Sequence, residues 1–217
     1  PLQSEWAGDL EHMKDIGLNV VKIEAVWSQI ERTLGNYSWD EISCLLNTAH
    51  SKGLKVLLTL PFESIPDCVF NAYDSRVLNL SRQPSQLLPR WFGGVSRYVC
   101  CWDSPDVRRS IEKFVCAIVQ KYKDHPALLC WDVFQEVDIP ECTCRHTRLE
   151  YQKWLKNKFA DITELNKILG ENYISFEDVD FPYSVCSEGQ AYLLHRTFRL
   201  ERLAANIKWL YELALKH

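Results

Sequence analysis

The sequence predicts an α/β fold, built as part of a (β/α) barrel, and three observations predict it. Three helix–strand units follow one another, a pattern that calls for parallel strands joined by right-handed crossovers. Connections after the strands are long, notably Pro61 to Asp103, while those before them are short, as in Gly17-Leu18 and Gly53-Leu54. That asymmetry belongs to a barrel whose functional loops share one face. Finally, residues 128–136, Leu-Leu-Cys-Trp-Asp-Val-Phe-Gln-Glu, form a short, largely apolar run that ends on Glu136. A buried parallel strand reads this way, and the C-terminal strand ends of such a barrel form its active site. The alternative is a doubly wound sheet, for which no glycine-rich phosphate loop is present.

The elements follow in order. Trp6, Leu10, Met13 and Ile16 recur at helical spacing, and Gly17 stops the helix. Asn19 to Glu24 reads as the first strand. Ser38-Trp-Asp-Glu41 is a capping box that opens a helix carrying Ile42, Leu45, Leu46 and Ala49 and stopping at Gly53. Lys55 to Leu60 is the second strand, halted by Pro61. Ser104-Pro105 starts the third helix in cap-then-proline fashion, with Val107, Ile111, Phe114, Ile118 and Tyr122 on its apolar face. Leu128 to Gln135 is the third strand, with Val21, Leu58 and Val133 facing the barrel interior. Helices are expected at Leu149 to Phe159, Ile162 to Leu169 and Ser187 to Leu215, and no further strand follows. A closed barrel needs eight strands and typically about 250 residues. This chain therefore covers about half of one, as a single partial domain over residues 1–217.

Composition excludes several classes. Of 217 residues, 47% are hydrophobic and 25% charged, an ordinary globular balance with material for one core. The net charge of −4 comes with no basic stripe, which argues against a nucleic acid or an anionic membrane as partner. The longest apolar runs are strand-sized, too short to span a bilayer. No charged-then-apolar leader opens the chain, which reads as starting in mid-domain. Nine cysteines without a leader point to metal ligands and buried thiols rather than a disulfide framework, and hence to the cytoplasm. Cys44, Cys116 and Cys130 fall on apolar faces and are expected in the core.

Several motifs occur together. Trp27-Ser-Gln-Ile-Glu31 is followed by Gly35-Asn-Tyr37-Ser-Trp39-Asp40. His125-Pro-Ala-Leu-Leu-Cys-Trp131 leads into Gln135-Glu136. Cys101-x-x-Ser104-Pro105 precedes that acid, and Cys142-Thr-Cys144, Tyr151-x-x-Trp154-Leu155-Lys156, Leu165-Asn166 and Gly170 succeed it. In this order they resemble glycoside hydrolase family 42, retaining β-galactosidases on a (β/α)8 barrel, over nearly the whole chain. The resemblance implies barrel strands two to four with a helical extension, truncated at both ends, because the family's nucleophilic glutamate lies on a seventh strand not reached here.

It also implies roles. Glu136 is the general acid/base, which protonates the leaving oxygen and later deprotonates water. Burial near a second carboxylate is the means of holding its proton near neutral pH. Gln135 stands where the family has the asparagine that contacts the sugar 2-hydroxyl, and is one methylene longer. Glu24 ends the first strand, where a sugar contact and an ion pair closing the barrel end are both open. Trp27 follows as either an aromatic wall for substrate or core. Arg32 replaces a proline, and Pro66-Asp-Cys68 replaces a Pro-x-Trp, both marks of a divergent branch.

Some family members hold zinc with one cysteine before the third helix and a C-x-C-x-x-C run after the acid. Cys101, Cys142 and Cys144 match, the last position is Thr147, and His146 beside it is the candidate fourth ligand of a closed structural site. No organic cofactor is implied. The implied partners are a carbohydrate substrate, the remaining half of the barrel and a homo-oligomer. Two rivals remain: another retaining glycosidase of the same barrel clan, and a non-catalytic descendant that binds carbohydrate or scaffolds an assembly.

Overall fold

The computed structural model describes residues 3–62, 65–73, 78, 100–134, 142–182 and 189–217. Its three strands are β1 (Val20–Glu24), β2 (Lys55–Thr59) and β3 (Leu128–Asp132), paired in parallel in the order β1-β2-β3. Each is preceded by a helix: α1 (Trp6–Asp15), α3 (Asp40–Ser51) and α5 (Pro105–Tyr122). The fold is a three-stranded portion of a barrel with its helices, as the tandem helix–strand units predict. The register sets Glu24, Thr59 and Asp132 side by side at the C-terminal ends of the three strands.

The two sheet faces are the reverse of expectation. Val21 and Leu58 are buried beneath the helices at 7% and 0% exposure, and Val133 packs on the same core. The other face carries Lys22, Leu57, Thr59, Cys130 and Asp132. Both faces of a parallel strand are apolar enough to hide the parity of the pleat. A bulge opposite Val56 and Leu57 adds Leu129, which is exposed, and Cys130 is exposed on the open face rather than in the core.

The main core lies between the sheet and α3 and α5, centred on Trp27, Phe62 and Phe114. Trp27 stacks on Phe114 with ring centroids 5.3 Å apart, and Phe62 meets Trp102 edge-on at 5.4 Å. Tyr122 ties α5 to the start of α3, since its hydroxyl lies 2.7 Å from Ser43 Oγ and donates to the Trp39 carbonyl. The expected capping box at Ser38 does not form. Trp39 takes the cap position without a side-chain bond, because its ring is drawn into the core beside Phe114. On α1 only Leu10 is buried, while Met13 and Ile16 of the expected stripe are exposed. Two short helices, α2 (Trp27–Ile30) and α4 (Asp67–Ala72), are too brief to show a period in the sequence.

Beyond β3 the chain is helical. Helix α6 (Arg145–Lys158) starts four residues before its expected position, α7 covers Ile162–Leu169, and α8 runs from Gln190 to Lys216. Asp161 caps α7 by accepting from Glu164 N at 2.9 Å, and Gly170 ends it at φ 70°, a left-handed conformation that favours glycine. Tyr151, Leu155, Leu165, Val179, Phe181 and Phe198 form a second core. Helix α8 bridges the two cores, with Phe198 in the second and Leu210 and Leu213 in the first. Among the described residues no helix is long and apolar enough to cross a membrane.

Candidate active-site rim and cysteine centre

The rim is assembled by the parallel register. Lys22 on β1 reaches across β2 to Asp132 on β3, with Nζ 3.3 Å from Oδ2, and the buried Thr59 hydroxyl donates to the same oxygen at 3.2 Å. These two polar contacts, meeting at one carboxylate oxygen, link all three strands on the open face. Glu24 sits in register with Thr59, half-buried, and lines a cavity of about 320 Å³ together with Trp6, Arg32 and Glu41. Gln135 and Glu136 lie outside the described residues, just beyond the last described residue of that segment, Phe134.

Trp27 belongs behind this rim. It has no exposed surface and stacks within the core, so core packing replaces the aromatic-wall reading. Its indole Nε1 donates to Glu31 Oε2 at 2.6 Å, and Glu31 Oε1 accepts from Gly35 N at 2.6 Å. The W-x-x-x-E…G stretch is therefore a clamp. A buried carboxylate joins the short helix α2 to a turn in which Gly35 adopts φ 75°. Cys68, where the family pattern has tryptophan, donates its thiol to the Glu31 carbonyl at 3.4 Å. Burial, and next the Glu31 charge, push the Tyr37 hydroxyl up to about 12.

The cysteine centre forms where the start of α5 meets the start of α6. Cys101 lies in the turn closed by Ser104 N donating to Cys101 O, and Cys144 is the residue that begins α6. Arg202 of α8 holds the two together, pairing with Asp103 and, at 3.6 Å, with Glu150. The sulfurs of Cys101, Cys142 and Cys144 all lie within 4.8 Å of one another, and those of Cys101 and Cys144 are 3.4 Å apart. All three residues are buried. Hydrogen bonds from Cys101 and Cys142 hold the Cys144 thiol far below its ordinary range, while bonds to Cys142 and Cys144 raise Cys101 well above it.

The fourth corner differs from expectation. His146 is not in the group; its Nε2 faces Arg145 Nε at 3.4 Å on an exposed surface. The helical turn from Cys144 brings Thr147 inward instead, with Oγ1 3.2 Å from Cys101 Sγ and 3.7 Å from Cys144 Sγ. The converging soft donors fit a thiophilic ion.

Sequence reasoning does not single out Lys22, Thr59 and Asp132, although alternation along β1 and β3 puts the polar residues of each strand on one face. Thr147 is legible only as the missing member of the cysteine spacing.

The comparisons agree with this architecture. The sequence profile of the beta-galactosidase family, glycoside hydrolase family 42, matches residues 2–214. Beta-galactosidase BgaA of Clostridium cellulovorans is 25% identical over 166 residues, 76% of this chain and 24% of that protein. Beta-galactosidase LacZ of Heyndrickxia coagulans is 28% identical over 188 residues, 83% of this chain and 27% of that protein. The crystal structure of beta-galactosidase from the psychrophilic Marinomonas ef1 superposes with a TM-score of 0.86 at 25% identity, covering 100% of this chain and 34% of that one. The chain spans about a quarter of the length of the curated relatives it matches.

Proposed function

Since the chain belongs to glycoside hydrolase family 42, we propose that it supplies the general acid/base portion of a retaining β-galactosidase active site, with Glu136 as proton donor. The observation that carries the reading is the parallel rim on which Glu24, Thr59 and Asp132 stand in register, at the end of the strand whose sequence runs on to Glu136. Glycosidic oxygen is a poor leaving group, so a carboxylic acid must protonate it as the bond breaks, and the resulting carboxylate then deprotonates water. The second carboxylate, about 5–5.5 Å away in retaining enzymes, comes from polypeptide beyond this chain, which also completes the barrel. Gln135 has the amide donor and acceptor to engage the sugar 2-hydroxyl. Glu24, half-buried at the same strand ends, contacts substrate or fixes the rim in this reading. The substrate is a β-galactoside.

The cysteine centre holds zinc in this reading, with Cys101, Cys142 and Cys144 as ligands. The ion supplies no step of the reaction; it crosslinks the segment before α5 to the start of α6. The described cysteines are all free, which suits a reducing compartment such as the cytoplasm.

The test is the stereochemistry of turnover. Full-length protein should release the β-anomer of galactose first from an aryl β-galactoside, read by proton NMR, and Glu136→Gln should abolish most of that turnover. Inversion, or an undiminished Glu136→Gln variant, would overturn the assignment.

A further inference from the structure

The centre has three sulfurs and one hydroxyl, and the hydroxyl is not an equivalent ligand. Thr147 is 6% exposed, and its hydroxyl lies 3.2 Å from Cys101 Sγ and 3.7 Å from Cys144 Sγ. Sulfurs that bind a metal do so as thiolates, which only accept hydrogen bonds. The Thr147 hydroxyl then has its single proton to donate, to Cys101 Sγ or shared with Cys144 Sγ, so it stabilises the ligands' charge and does not replace a fourth thiolate. Among the described residues no other cysteine, histidine or carboxylate joins the group, and His146 is turned toward Arg145.

We propose that the ion in this centre is held by three thiolates alone and that its fourth position is exchangeable, open to solvent or to a small monodentate anion. This rests on the metal reading above. A closed four-ligand site has no place for an incoming group, whereas a site with three protein ligands keeps one. With a metal bound, an entering anion would displace a solvent ligand from it, with no electron transferred. The sulfur residues are 2%, 7% and 7% exposed, so only small ligands have access. Thr147 is a positioning residue for the thiolates, and its identity decides whether the site is open.

The experiment uses full-length protein loaded with cobalt(II), whose visible spectrum reports coordination, and azide as the probe. The wild type should bind one cobalt per chain with thiolate-to-metal absorption, and azide should shift the bands. Thr147→Cys should be insensitive to azide and release its metal to a chelator at least tenfold more slowly. Thr147→Val, which removes the hydroxyl at nearly constant volume, should bind cobalt more weakly, because the hydrogen bond that stabilises the thiolates is lost, but should keep the three-thiolate band pattern and the azide response. A wild-type spectrum that azide leaves unchanged would overturn the open position while leaving the metal site standing. Loss of the band pattern in Thr147→Val would show the hydroxyl to be a ligand and would likewise overturn the open position. Failure of the wild type to bind cobalt or zinc at all would instead sink the metal reading itself, and this inference with it.

Discussion

Two buried ionisable side chains set the behaviour of single residues here. Glu31 accepts from both the Trp27 indole and the Gly35 amide, so Glu31→Ala strands the indole N–H in the core and unties the exposed turn at Gly35. A loss of about 3 kcal/mol is expected, at the upper end for hydrogen bonds to a charged group, and Glu31→Gln should lose less because it keeps one acceptor oxygen. Urea denaturation distinguishes them. His195 is buried among Tyr151 and Phe181, and burial, with Arg199 adding to it, lowers its pKa from 6.5 to about 4. The unfolded chain therefore binds the proton more tightly than the folded one. The contribution of His195 is full above about pH 6.5 and is lost as pH falls toward 4, by about 3 kcal/mol in all. His195→Leu should flatten the stability profile across that window; an unchanged profile would show that other groups titrate there. Of the residues read from sequence, the cysteines are the most legible, because their spacing survives folding. Trp27 is the least, since an aromatic beyond a strand end looks the same whether it faces sugar or core.

Elements are legible where a pattern has room to repeat. The strands and helices α3, α5 and α7 follow from period, stop signals and caps, whereas α2 and α4 are under two turns and carry no period. The start of α3 shows local chemistry overridden by packing: Ser38 has the composition of a cap, but the Trp39 ring fixes the entry of the helix. Asp161 is the counterexample, a cap that forms without competition from the core. Asp161→Ala should cost about 1 kcal/mol, while Ser38→Ala should leave stability within about 0.5 kcal/mol of the parent, as for surface changes away from special features. Thermal denaturation of the pair checks both. The sheet faces are hard to read because the open face mixes the apolar Leu57 and Cys130 with its polar residues, among them Lys22, Thr59 and Asp132. Their contact is itself an element-level device, since it fixes the C-terminal ends of three strands relative to one another.

At the scale of the molecule, the chain is three strands of a barrel plus a helical extension, tied by α8 across two cores. On the function proposed here, such a piece holds one carboxylate of a two-carboxylate mechanism. The 217 residues alone should therefore show no specific turnover of an aryl β-galactoside; robust turnover would refute their reading as part of a site. The proposed function turns on the role of Glu136, and the dependence of rate on the leaving group measures that role most directly. In the full-length protein, Glu136→Ala should lower kcat/KM by several orders of magnitude for alkyl β-galactosides. The loss should be much smaller for dinitrophenyl β-galactoside, whose leaving group departs with little protonation. A loss of equal size across all leaving groups would contradict the assignment of Glu136 as the general acid.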